Sequence, residues 1–370
     1  MKRTRIVIVI NDFLVGGAQR LLAGLVAHID RTRFDITLVT LRTFEGRNDM
    51  YHLLPADLPV HRLSFRGFFD IPGWIALAVL LVKKRPQVVL SNLFFSNTIT
   101  RVLGLILRYP TIIVEHNTYV DKTKAQIRLD RFLSYGTKRI VAVSPTVQTF
   151  TMAQEGIQPD KFTIIQNGVD VRGIQAALAN RSAQEFKQEL GLDPVRRYIV
   201  NVSRLVPQKN QRLLLEGFSL FAHSHPDYDL LMVGDGGERQ PLTELAKEQK
   251  LEDRIRFLGS QQDVFRFYGA SEFFVSTSSI EGFGLAHAEA LAAGLPLVST
   301  RTAGPDRMIE EGRNGFFIDE ETPEGVAAAL ERMVRASPDS MRAYARESAS
   351  HFSIEKTARA YEALIEEVAC

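Results

Sequence analysis

Cysteine is nearly absent: Cys370 is the only one in 370 residues. No disulfide can close within the chain and no cysteine cluster can hold a metal, which suits a reducing cytosol. Long hydrophobic runs are missing as well. The longest apolar stretch, IPGWIALAVLLV at 71–82, is twelve residues, too short to span a bilayer. There is no low-complexity tract and no short solenoid repeat. Nor is there a large excess of either charge, since 45 Lys and Arg against 43 Asp and Glu leave a formal net charge of +2. The opening MKRTRIVIVINDF has the basic start of a secretory leader. Its apolar run ends at Ile10 and no small-residue cleavage site follows, so a buried first strand is expected there.

What the chain does have is apolar content, 45% of its residues, enough for two sizeable cores. Its charge is also unevenly placed. Residues 1–175 hold 23 Lys and Arg against 13 Asp and Glu, and the remainder hold 22 against 30. A basic first half could meet nucleic acid, an anionic membrane surface or a phosphorylated substrate. The plainer alternative is two unrelated solvated surfaces.

Short β-branched runs alternate with helix-like segments. The first half contains RIVIVI (5–10), FDITLVTL (34–41), PVHRLSF (59–65), QVVLSN (87–92), TIIVEHN (111–117), RIVAVS (139–144) and KFTIIQN (161–167). The pattern restarts with RRYIVNVSRL (196–205), YDLLMVGDG (228–236), RIRFLGS (254–260), SEFFVSTS (271–278), LPLVST (295–300) and GFFID (315–319). Continuous apolar strands separated by helices indicate parallel sheets covered on both faces. The polar segment 171–196 lies between the two sets. We therefore expect an α/β protein of two doubly wound domains, 1–175 and 176–351, followed by an amphipathic helix over 352–368. Such sheets bind ligands at the carboxyl ends of their strands.

Motifs sit where that rule places them. Gly16-Gly17 follows the first strand and opens a helix, where amides can approach an anion; alone it is equally a tight turn without a ligand. His116, in Glu115-His116-Asn117, follows the fifth strand and suits hydrogen bonding to a substrate hydroxyl or proton transfer, or else a capping role. In NVSRLVPQKNQ (201–211), Arg204 and Lys209 suit a diphosphate, although two basic residues five apart also describe a solvated loop.

The most specific stretch is SIEGFGLAHAEALAAGLP (279–296). A helix is expected from near Phe283-Gly284 to just before Gly294, with Glu281 in the turn that precedes it. Gly282 and Gly284 would leave amides open at the helix N-terminus, an anion site. Glu289, just over a turn inside the helix, can take a second group of the same ligand, such as a ribose diol. One capping and one surface glutamate would be the structural alternative.

Together GGAQR, EHN, SRLVPQKN and EGFGLAHAEALAAGLP, in this order, resemble retaining glycosyltransferases of the GT-B fold, specifically glycosyltransferase family four. The resemblance covers nearly the whole chain; the E-x7-E stretch and the A-x-G-x-P after it are its most specific part. It implies two Rossmann-like domains with a cleft between them and the last helix crossing back to the first. It implies a nucleotide-sugar donor on the C-terminal domain, with Arg204 and Lys209 on the diphosphate, Glu289 on the ribose and Glu281 on the donor sugar. Amides at Phe283, Gly284 and Leu285 would serve phosphate and sugar. Gly16 and Gly17 would lie near the diphosphate, and His116 near the sugar. The loops VGDGG (233–237) and GSQQD (259–263), with Ser260, would serve the nucleotide. No metal and no separate cofactor are expected. Two departures stand out: Gln87 and Ser91-Asn92 occupy positions where the family often has an acid and a histidine, and His287 replaces an apolar residue.

The function expected is retaining transfer of a hexose or N-acetylhexosamine, with UDP as the carrier on family frequency alone. The acceptor would be a lipid-linked glycan or a polysaccharide, such as lipopolysaccharide, O-antigen, capsule or exopolysaccharide. The place would be the cytoplasm, at the inner face of the membrane if LSFRGFFDIPGWIALAVLLVKKRPQVV (63–89) is an interfacial anchor rather than a packed helix. Rival readings are a sugar-nucleotide 2-epimerase of the same fold, a non-catalytic sugar-nucleotide sensor and a nucleic-acid binder. No nucleic-acid module is present to support the last.

Overall fold

The computed structural model describes residues 3–44 and 49–369. Cys370 and part of the loop after Leu41 lie outside the described residues. Two parallel sheets organise the chain, each in its own unit. One unit comprises residues 1–168 and 354–370, the other 169–353.

The first sheet has seven strands: β1 (Thr4–Ile10), β2 (Phe34–Thr40), β3 (Val60–Arg62), β4 (Val88–Asn92), β5 (Thr111–Glu115), β6 (Arg139–Ala142) and β7 (Phe162–Ile164). Their order is β3-β2-β1-β4-β5-β6-β7, parallel throughout. The second has six: β8 (Arg197–Val202), β9 (Tyr228–Val233), β10 (Ile255–Gly259), β11 (Phe273–Ser276), β12 (Leu297–Ser299) and β13 (Gly315–Phe317), in the order β10-β9-β8-β11-β12-β13. The expected strands are present, the inner ones because their apolar runs are buried on both faces, as β8 and β9 illustrate, while the edge strands β3, β7 and β10 are only partly covered. Two Rossmann-like sheets of this kind make a GT-B protein.

In each sheet the strand order reverses once, between β1 and β4 and between β8 and β11. At such a switch point neighbouring loops diverge to opposite faces and leave a crevice at the carboxyl edge. Right-handed crossovers put the helices Ile71–Lys84, Phe94–Leu107 and Lys124–Ser134 on one face of the first sheet, and Gly17–His28 on the other. That other face is shared with the last helix, Ile354–Ala369, whose Ile354 comes up against Gly24. Glu362 on it accepts from the Asp30 amide at 2.7 Å, and Thr357 Oγ1 donates to Gln166 O at 2.9 Å.

The units divide at Gly168/Val169, ahead of the 175/176 position inferred from sequence. The helix Val171–Leu178, capped by Asp170, buries Val171 and Ile174 within the second unit. A polar sequence concealed that packing face.

Candidate active site

The second unit gathers its chemistry around the β8/β11 switch point. The segment after β8 carries Arg204 and Lys209; the segment after β11 carries Glu281, Phe283 and Gly284. Short polar ties hold the two segments together. Ser279 N donates to Gln208 O at 3.0 Å, and Gln208 Nε2 returns a bond to Ile280 O at 3.1 Å. Thr277 Oγ1 donates to Asn210 O at 2.9 Å. The buried Gln211 amide donates to Ser203 Oγ and Arg204 O, at 2.9 and 2.8 Å, which fixes the start of the arginine segment. These bonds also satisfy backbone carbonyls that loops would otherwise leave to water.

This scaffold presents an ion pair. Lys209 Nζ donates to Glu281 Oε1, and Ser278 Oγ donates to the same oxygen at 3.0 Å. Both charged side chains are 14% exposed. Burial pushes the Glu281 carboxyl up, but the Lys209 ammonium, the nearby His287 ring and the Lys209 and Ser278 hydrogen bonds outweigh it. Its pKa falls below the ordinary glutamate value, so it is a carboxylate at neutral pH. Arg204 is exposed and, among the described residues, its guanidinium has no hydrogen-bond or ion-pair partner. The pair of cations expected on one diphosphate is thus unequal: one is already engaged, the other open.

The helix Leu285–Ala293 begins as expected, with Gly284 as its N-cap at φ +83° and no side-chain cap. Its first amides are therefore not taken up by a capping side chain. Gly284 has a second constraint, because a Cβ there would lie 2.7 Å from His287 Nδ1. His287 itself is buried, with its ring edge-on to Phe274 at 4.9 Å. Its Nε2 lies 3.1 Å from Ser299 Oγ, which donates onward to Thr300 O, so Nε2 carries the proton. Burial lowers its pKa to about 4. A neutral imidazole thus underlies the helix start, which accounts for the apolar-to-histidine departure. Glu289 is buried one turn further on and accepts from the Tyr268 hydroxyl at 3.3 Å.

Three more loops complete this edge. Gly234, at φ +140°, presses on Ser203: a Cβ there would lie 1.9 Å from Ser203 O. Its amide donates to Gly259 O at 2.9 Å. Ser260 follows that glycine in the loop after β10. Gly304 backs onto the glycine-rich turn so closely that a Cβ would sit 1.8 Å from Phe283 O.

The first unit holds the remaining expected residues. Gly16 is the extended N-cap of Gly17–His28, again without a side-chain cap. Gln19 folds over it and donates to Asp12 Oδ1 at 3.1 Å. His116, half-buried after β5, places Nε2 3.0 Å from Asn92 Oδ1. Burial lowers its pKa to about 4. With Nε2 donating, Nδ1 is left as an acceptor, so hydrogen bonding rather than proton transfer at neutral pH is the role its surroundings favour. Asn92, which ends β4, is what positions it.

Sequence reasoning missed what stands behind His116. Arg101, Lys122, Asp130 and Glu155 form a buried ionic cluster, with Lys122 Nζ 2.9 Å from Asp130 Oδ2 and 2.5 Å from Glu155 Oε1, and Arg101 on Asp130 Oδ1. Glu115 faces it and is pushed up to about 7, chiefly by burial, against the pull of Lys122. Counting Glu115 as charged leaves one excess negative charge; a proton on it makes the cluster neutral. A carboxyl with a folded pKa above its unfolded value favours folding most below the unfolded value, and that contribution is lost as pH rises through the folded one. Glu115→Gln should therefore match the parent's stability below pH 4 and exceed it by about 3 kcal/mol above pH 8. Thermal unfolding of both proteins across that range checks it; a pH-independent difference would contradict it.

The sequence carries the matching family signatures. A model described as Glycosyl transferases group 1 matches residues 182–351, and one described as Glycosyltransferase Family 4 matches residues 15–172. The chain belongs to these glycosyltransferases. It is 27% identical over 260 residues to N-acetyl-alpha-D-glucosaminyl L-malate synthase of Bacillus anthracis, across 68% of this chain and 66% of that one. It is 36% identical over 136 residues to the lipopolysaccharide core biosynthesis glycosyltransferase LpsE of Rhizobium meliloti, across 37% of this chain and 39% of that one. The chain thus spans less than two thirds of the length of these two relatives. Among solved structures, Anabaena HepE in complex with UDP-glucose superposes with a TM-score of 0.84 at 20% identity, covering 99% of this glycosyltransferase and all of HepE. That likeness is one of fold.

Proposed function

We propose that this glycosyltransferase moves a hexose or N-acetylhexosamine from a nucleoside diphosphate sugar, with UDP as the carrier, to a lipid-linked glycan or polysaccharide acceptor in cell-surface glycan synthesis, with retention of anomeric configuration. The observation that carries this reading is the Lys209–Glu281 pair beside an open Arg204, set at a switch point over an uncapped helix N-terminus. HepE with bound UDP-glucose supports the carrier, and LpsE supports the acceptor class.

In this reading the departing diphosphate gathers negative charge as the glycosidic bond breaks. Arg204 takes its oxygens through a fixed fork, and Lys209 adds the protons it does not spend on Glu281. The amides of Phe283, Gly284 and Leu285 face the same charge. Glu289, held by Tyr268, accepts from the ribose diol, while Ser260 flanks the nucleotide. Glu281 accepts from donor-sugar hydroxyls, and its fixed carboxylate opposes the positive charge growing on the ring. The neutral His116 binds a sugar hydroxyl. The leaving phosphate oxygen takes the acceptor's proton on the face it has just vacated, so neither a separate base nor a metal is required.

The test is thermal unfolding of the protein with UDP, GDP, ADP and CDP, repeated on Glu289→Ala. A ligand present at a hundred times its Kd stabilises by about 2.7 kcal/mol, roughly 5 to 11 °C for units of this size. One nucleotide should produce that shift and lose it in the variant. A folded protein that responds to none of the four would overturn the donor assignment.

A further inference from the structure

We propose that the outer face of the helix Ile71–Lys84 docks on the surface of an anionic lipid bilayer. This helix covers the first sheet with one side only. Leu77 and Leu81 are its buried residues, packed with Phe65, Phe95 and Ile99 over β1 and β4. The other side should then be polar, and it is not. Ile71, Ile75, Val79 and Val82 are 68, 58, 46 and 58% exposed. At 3.6 residues per turn these four fall within an arc of about 80°, forming one continuous stripe. Phe69, immediately before the helix, is 98% exposed.

The aromatic segment entering the helix is held rather than loose. Asp70 caps the helix through Gly73 N at 3.2 Å and also accepts from Arg66 N at 2.8 Å. Trp74 Nε1 donates to Phe68 O at 2.8 Å, and Phe68 packs on Phe95 at 4.6 Å. Phe69 is thereby fixed pointing away from the core.

Charge selects the occupant. The helix has no acidic residue, and it ends in Lys83 and Lys84 followed by Arg85. None of these three side chains has an ion-pair partner among the described residues. Lys83, exposed, sits at the edge of the apolar stripe. Apolar side chains flanked by unpaired cations match an interface in which acyl chains lie beneath anionic head groups. A second protein surface would need acidic residues and an apolar groove of matching length. No helix of the described residues is long and apolar enough to cross a membrane, so this contact would be peripheral. It does not depend on the glycosyl-transfer reading.

The experiment is flotation of the full chain with phosphatidylcholine vesicles, with and without phosphatidylglycerol. Two variants accompany it: Ile75→Ser/Val79→Ser/Val82→Ser and Lys83→Gln/Lys84→Gln. All five side chains lie outside the candidate active site, and circular dichroism with thermal unfolding of all three proteins reports folding independently. The parent should float only with phosphatidylglycerol. Each lysine contributes about fivefold in partitioning, so the double glutamine variant should bind roughly 25-fold more weakly, and the triple serine variant should no longer float. Absence of flotation with either vesicle would overturn the proposal. So would flotation unchanged by the serine substitutions, or a vesicle-independent dimer that those substitutions dissociate.

Discussion

Glu281→Gln is expected to lower the rate of sugar transfer by about 10² to 10³ while leaving the fold intact, measured as nucleoside diphosphate released from the donor. The size is that of removing one preorganised electrostatic contact from an active site. Glutamine preserves the shape and the hydrogen bond from Ser278, but it removes the charge that holds Lys209. The ammonium is then free to follow the diphosphate, so donor affinity should change little and kcat should carry the loss. That division separates this role from a purely structural one, which would appear as a lowered unfolding temperature with unaltered kcat in the folded fraction. The same variant tests the chemistry. If the parent accumulates a glycosyl adduct on Glu281, visible by mass spectrometry and absent from the variant, the reaction passes through a covalent intermediate and same-face displacement is wrong. If kcat is unchanged, Glu281 has been misassigned.

Lys122→Met should cost about 3 to 5 kcal/mol, the penalty for removing one partner from a buried ionic group. For a unit of this size that is a fall of roughly 6 to 20 °C in unfolding temperature. The Lys122 side chain is 5% exposed and bonds two carboxylates. Arg101 still serves Asp130 after the substitution; Glu155 keeps no cation. Burial already raises the Glu155 pKa against the pull of Lys122, and without that pull it rises further. Raised carboxyl pKa values make the deficit smallest at low pH, where Glu155 and Glu115 hold protons, and largest above neutrality. Unfolding curves at pH 5 and pH 8 distinguish this from simple loss of packing, which would be the same at both.

Most of the strands could be read directly from sequence because they are local apolar runs buried on both faces; the partly covered edge strands β3, β7 and β10 follow from the alternation with helices. The start of the Leu285–Ala293 helix was legible for a similar reason: glycines and a carboxylate within six residues constrain one another. The Lys209–Glu281 contact was not. It joins positions 72 apart, and neither residue's neighbours announce it; only the adjacency of β8 and β11, itself a product of the strand order, brings them together. The same holds for Tyr268 on Glu289, for Gly304 under Phe283 and for the Lys122 cluster, whose members come from three helices and a loop. The basic character of the first half was visible, but whether 71–82 was a packed helix or an interface was undecided. Its sequence is apolar all round, and only the fold says which side the sheet has taken.

The chain returns to its first unit at Ile354, and this sets an order of completion during synthesis. Strands β1 to β7 leave the ribosome early, yet the flank of Gly17–His28 that Ile354 covers stays wet until the final helix emerges. A nascent first unit is thus an unfinished one, with an apolar seam that a chaperone could occupy. The intervening unit eases the closure. Its two ends are tied to each other, Val169 bridging Ser353 with its amide on Phe352 O at 2.8 Å. Once that unit has folded, the last helix is tethered a few residues from Gly168, and closing the seam no longer requires confining a long flexible loop. The inserted part finishes first and delivers the piece that its host lacks.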